Sequence, residues 1–111
     1  MELKERKLGQ WKVIAPAEKR LDSYVAEAFK KALLAAISDG TKDIVMDLSS
    51  VNFMDSSGLG ALVYCRQRVG PEGQIRIASA RPEVATLIKL THLDKVFPLL
   101  DKPEDVSLKV V

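Results

Sequence analysis

Val51-Asn52-Phe53-Met54-Asp55-Ser56-Ser57-Gly58-Leu59-Gly60 is the stretch around which the rest of the chain arranges itself. Before it, Ile44-Val45-Met46-Asp47-Leu48 is a short run of mostly β-branched and apolar residues, the pattern of a buried strand. After it, Leu59, Leu62, Val63 and Val69 recur at helical spacing, and Gly70 supplies a stop. The stretch therefore hands a strand over to a helix, and Ser56 and Ser57 fall where that helix begins. A helix N-terminus carries unpaired N–H groups and a partial positive charge. A hydroxyl placed there can cap the helix or receive a phosphoryl group. Gly58 and Gly60 let the backbone turn tightly and leave the serines uncovered.

Upstream, Glu2 to Lys7 alternates weakly and is charged enough for an edge strand. Gly9-Gln10 is a turn into a second, antiparallel strand, Trp11-Lys12-Val13-Ile14-Ala15, which Pro16 ends. A charged loop, Pro16 to Arg20, leads to Leu21-Asp22-Ser23, where Asp22 or Ser23 is the expected cap of the first helix. Val25, Phe29, Ala32, Leu33, Ala36 and Ile37 form its apolar stripe, with Glu27, Lys30 and Lys31 turned away, and Asp39-Gly40 stops it. Downstream, Gly70-Pro71-Glu72-Gly73 is a turn, Gln74 to Ala78 a strand, and Ser79 to Pro82 the start of another helix. That helix buries Val84, Leu87, Ile88 and Thr91. Val96 to Leu100 reads as a short final strand, at an edge because it contains Pro98. Pro103-Glu104-Asp105 can open a C-terminal helix. Strands alternating with helices predict an α/β domain spanning residues 1–111. Its mostly parallel, mixed sheet has about five strands and is packed with about four helices.

The composition narrows the function classes. At 111 residues there is room for one core, and 47% apolar with 29% charged residues is ordinary for a soluble domain. No run approaches the roughly 20 apolar residues that span a bilayer, so no membrane insertion is expected. The charged opening, Met1 to Lys7, has no secretory pattern, and a cytoplasmic protein is the expectation. A net charge of +2 is too small to point to nucleic acid.

Asp47 to Gly60 resembles the signature of the STAS domain, specifically that of the bacterial anti-sigma factor antagonists. The similarity extends from about Trp11 to Phe97 and includes Leu21-Asp22 and Leu87-Ile88-Lys89-Leu90-Thr91-His92-Leu93. One departure is the loop Pro16 to Arg20, where the family has a glycine shortly before Leu-Asp. The spacing alone favours a simple cap; the resemblance instead makes Ser56 the phosphoacceptor and leaves capping or backbone support to Ser57. Asp55 is either a base for phosphoryl acceptance or a turn residue that accepts a backbone N–H, and the sequence leaves both open. The resemblance further implies a partner switch. The unphosphorylated form binds an anti-sigma factor serine kinase and so frees a sigma factor. Phosphorylation of Ser56 separates the complex, and a metal-dependent serine phosphatase resets it. The expected contact face is Asp22, Ser23, Asp55, Ser57, Gly58 and Leu59, with Leu62 at its border, on a monomer or weak dimer.

Other chemistry is poorly supported by the sequence. Ser56 and His92, the sole histidine, lack a Gly-x-Ser-x-Gly elbow, and His92 reads as a packing or C-capping residue at a helix end. Cys65 reads as a small packing residue. No metal-ligand spacing or Walker-type glycine loop occurs, so no catalytic residue, metal or cofactor is expected. The alternative function is a non-phosphorylated STAS accessory subunit of a transporter ATPase or a stress-signalling scaffold.

Overall fold

The computed structural model describes residues 1–107. Strand β1 (Leu3–Leu8) turns through Gly9, whose φ of 62° suits glycine, into the antiparallel β2 (Trp11–Pro16). β3 (Arg20–Leu21) precedes helix α1 (Ala26–Ala36), and β4 (Asp43–Asp47) precedes β5 (Phe53–Met54) and helix α2 (Ser56–Val69). β6 (Gln74–Ala78), helix α3 (Pro82–Leu90) and β7 (Leu99–Leu100) follow. The main sheet has the order β1-β2-β4-β6-β7, with every pairing after the first hairpin parallel. β3 and β5 make a separate two-stranded parallel ribbon.

Alternation along the strands decides where the core lies. Ile14, Ile44, Met46, Ile75 and Ile77 point to one face of the sheet, where they meet Phe29 and Leu33 of α1, Leu62 and Cys65 of α2 and Ile88 of α3. The other face holds Trp11, Val13, Val45 and Ala78 under Val106, with the Arg76 guanidinium 4.9 Å from the Trp11 ring centroid. Lys12 is the exception on the helix-covered face. It is buried, and its Nζ donates to the carbonyl of Ala36 at the end of α1 (2.8 Å) and to Asp39 (2.9 Å). A cation thus closes the negative end of that helix.

Several expectations change. There are three α-helices among the described residues, since Leu93–Lys95 and Pro103–Ser107 form 3₁₀ turns. Anything the expected C-terminal helix would add beyond residue 107 lies outside the described residues. Helix α1 starts at Ala26, later than Asp22 or Ser23 would have set it; its N-cap position is Val25, with no side-chain cap. The last strand is only Leu99–Leu100, because Val96 belongs to the preceding turn and Pro98 has no N–H to give. Thr91 is exposed, not part of the buried stripe; its hydroxyl donates to the carbonyls of Leu87 and Ile88.

Candidate functional site

The ribbon β3–β5 brings the two loops of interest together. Arg20 pairs with Phe53 and Leu21 with Met54. The carbonyl of Lys19 accepts from the N–H groups of Asn52 (2.7 Å) and Phe53 (3.2 Å), and that of Leu21 accepts from Asp55 (3.3 Å). Neither two-residue strand carries a readable periodicity, so only the three-dimensional pairing exposes this link.

Asp55 is the N-cap of α2. Its carboxylate accepts from the N–H groups of Ser57 (2.9 Å) and Gly58 (3.2 Å), so the cap falls to Asp55 and not to Ser57. Ser56 occupies the first helical position, exposed, and its hydroxyl has no hydrogen-bond partner among the described residues. Ser57 is half-buried. Gly58, Leu59 and Leu62 are buried, and Leu62 is fully enclosed in the core, so it offers no surface at the border of a contact face. Asp22 is buried as well. One of its oxygens accepts from the Tyr24 N–H (3.0 Å) and the other pairs with Arg20 Nε (3.1 Å), making a turn ahead of α1. Ser23 is exposed.

A groove of about 410 Å³ runs between α1 and α2, floored by the small residues Ser23, Ala26, Ser57, Gly60 and Ala61 and rimmed by Glu27, Lys30 and Tyr64. One exposed aromatic, Tyr64, lines it, and Tyr24 follows its lining residue Ser23. Of the chain's six aromatics, Trp11, Phe29 and Phe97 are buried, while Tyr24 is 95% exposed and Phe53 and Tyr64 lie at the surface. Arg20 stacks on Phe53 at 4.3 Å and Lys30 on Tyr64 at 4.9 Å. Exposed tyrosines beside a shallow groove are the residues that protein interfaces favour. Sequence reasoning missed Arg20, Tyr24, Phe53, Lys30 and Tyr64; exposure of an aromatic leaves no mark in a periodicity.

The remaining candidates stand apart. His92 is exposed after the C-terminal end of α3, in a left-handed conformation, and α3 carries it to the opposite end of the sheet from Ser56. Cys65 is fully buried, and burial pushes its thiol up to about 11, away from the reactive thiolate. Among the described residues no three His, Cys, Asp or Glu side chains gather as a metal site, and no helix is long and apolar enough to cross a membrane.

Comparison with known proteins decides the family: the STAS domain matches residues 6–106. The chain belongs to the STAS domain family. An anti-sigma-B factor antagonist of Staphylococcus aureus is 30% identical to this STAS domain over 74 residues, covering 66% of the chain and 68% of that relative. A STAS-domain containing protein of Pseudomonas aeruginosa is 34% identical over 56 residues, 50% of this chain, and the chain spans only 55% of that relative's length. The fold superposes on an anti-sigma factor antagonist from Mycobacterium paratuberculosis with a TM-score of 0.83 at 29% identity, over 94% of this chain and 88% of the other. It is also shared, at 18% identity and a TM-score of 0.68 over 95% and 96% of the two chains, with Bacillus SpoIIAA solved in its phosphorylated form.

Proposed function

We propose that this STAS domain is an anti-sigma factor antagonist that works by phosphorylation-controlled partner switching. The observation that carries the reading is Ser56 itself, an exposed hydroxyl without a partner among the described residues at the first position of α2, while Asp55 does the capping. A structural cap would be bonded; this hydroxyl is spare. In the unphosphorylated form the groove between α1 and α2, with Tyr24 and Tyr64, receives an anti-sigma factor that is itself a serine kinase, and a sigma factor is freed. The kinase transfers a phosphoryl group from ATP, with magnesium, to the Ser56 hydroxyl, which loses its proton. The new group brings about −1.5 to −2 charges to the contact face. Repulsion and desolvation there separate the complex without any change of fold, and a metal-dependent serine phosphatase restores the hydroxyl. The chain acts as ligand and substrate, not as catalyst, in the cytoplasm. The names of the antagonists it resembles and the phosphorylated form of SpoIIAA support this reading.

The experiment is to incubate the chain with the anti-sigma factor kinase of its own organism, ATP and magnesium, and to map the product by mass spectrometry. Phosphate on Ser56, absent from Ser56→Ala, is the expected result. Phosphate chiefly on Ser57, or none, contradicts it.

A further inference from the structure

A phosphoryl group on Ser56 would meet a helix terminus whose donors are already in use. The Asp55 carboxylate takes the N–H groups of both Ser57 and Gly58. Asp55 and Asp22 are moreover acids close by, and like charge repels a dianion. A cation beside the phosphate would offset that repulsion, and the ribbon carries one toward the site. Side chains alternate along β3 and β5, so Arg20 and Phe53 share the face opposite the buried Leu21 and Met54. The guanidinium lies over the Phe53 ring at 4.3 Å, with Nε 3.1 Å from Asp22. Ser56 follows Phe53 by three residues, so their Cα atoms are at most about 10 Å apart even for extended chain, a gap that an extended arginine and a phosphoserine close together.

We propose that Arg20 is the phosphate-binding residue of this domain: when Ser56 is phosphorylated, the guanidinium leaves Asp22 and takes the phosphate oxygens. The inference rests on Ser56 as the acceptor. The Arg20 side chain is 62% exposed, so its pair with Asp22 is weakly held, and a swing gives up only that pair and the stack on the Phe53 ring. Two parallel N–H donors on a phosphate make the stronger bond. The exchange has a consequence for the contact face. The Asp22 carboxylate is left holding only the N–H of Tyr24, so the turn presenting the most exposed aromatic loses one of the three hydrogen bonds it makes through Asp22, keeping those to the N–H groups of Tyr24 and Val25. Phosphorylation would thereby loosen the docking surface as well as charge it.

Phosphoserine placed at position 56 during synthesis makes the test independent of any kinase, so a failure here is distinct from a failure to find phosphorylation by the kinase. The phosphate is titrated by ³¹P NMR in the otherwise native chain and in Arg20→Gln, Arg20→Lys, Lys19→Gln and Lys30→Gln. The second ionisation should rise by about one pH unit in Arg20→Gln. It should rise less in Arg20→Lys, which keeps the charge and loses the fork, and stay unchanged in the two lysine variants. An equal titration in the native chain and Arg20→Gln overturns the proposal, as does a rise confined to Lys30→Gln.

Discussion

A Cβ atom built on Gly58 would lie 2.2 Å from the carbonyl oxygen of Leu21, closer than real contacts allow. The first turn of α2 is thus seated directly on the backbone of β3, at the residue whose carbonyl also accepts the Asp55 N–H. This contact binds the loop of Asp22 and Tyr24 to the segment that presents Ser56.

The two glycines of α2 should therefore respond oppositely to alanine. Gly60 has open space around its Cβ position, so Gly60→Ala should raise stability by about 0.5–1 kcal/mol through helix propensity. Gly58→Ala meets backbone that cannot swing aside, and should lower stability by about 1–3 kcal/mol. Urea unfolding of the two variants decides; equal gains would mean that the Leu21 contact relaxes freely.

Capping gives a second pair. Asp55→Ala removes the acceptor of two N–H groups and should cost about 0.5–2 kcal/mol. Ser57→Ala, which removes no cap, should stay within about 0.5 kcal/mol. Thermal unfolding checks both, and the reverse order would return the cap to Ser57.

Lys12 sets a pH dependence. Burial pulls its ammonium down, but the hydrogen bonds and charges of Asp39 and Glu5 outweigh that and hold it above its ordinary value. Asp39 is held below the usual carboxylate range, chiefly by the Thr41 hydroxyl and then by Lys12. A raised cation stabilises the fold fully below its unfolded pKa, about 10.4, and loses that contribution as pH climbs through the folded value. A depressed acid contributes above about 3.9 and fails as pH falls. The stability difference between the native chain and Lys12→Met should be flat from about pH 5 to 9 and shrink above about pH 10.5. Denaturant unfolding across that range tests it, and a difference that grows with alkali contradicts it.

The proposed contact face separates two kinds of loss. Tyr24→Ala should weaken binding of the anti-sigma factor at least about tenfold, as interface tyrosines do, with the unfolding midpoint unchanged. Leu62→Ala should cost about 2–5 kcal/mol of stability, because its side chain lies wholly in the core. Titration calorimetry beside thermal unfolding reads both, and a Tyr24→Ala variant that binds normally moves the interface elsewhere.

Much of this architecture was legible in the sequence because long, periodic segments announce themselves. The run Ile44 to Leu48, the stripe of Phe29 and Leu33, and the glycine stop after Val69 all correspond to elements of the fold. The ends of elements were less legible. Asp22 looks like a helix cap, and it does accept a backbone N–H, but that of Tyr24 in a separate turn, so α1 begins later. Leu62 looked like a border residue because spacing along a helix does not say which side a neighbouring helix covers. The ribbon of Arg20-Leu21 with Phe53-Met54 is too short to have a pattern, yet it positions the whole site.

In the proposed switch one group on Ser56 controls binding, and affinity with and without it tests this without an intermediary. The chain carrying serine and the chain carrying phosphoserine at position 56 are each titrated into the purified anti-sigma factor of the same organism. The serine form should bind, and the phosphoserine form should bind at least about a hundredfold more weakly, a difference near 2.7 kcal/mol. Melting temperatures of the two forms should agree closely, since an anion at the start of α2 is tolerated. Equal affinities would contradict the account.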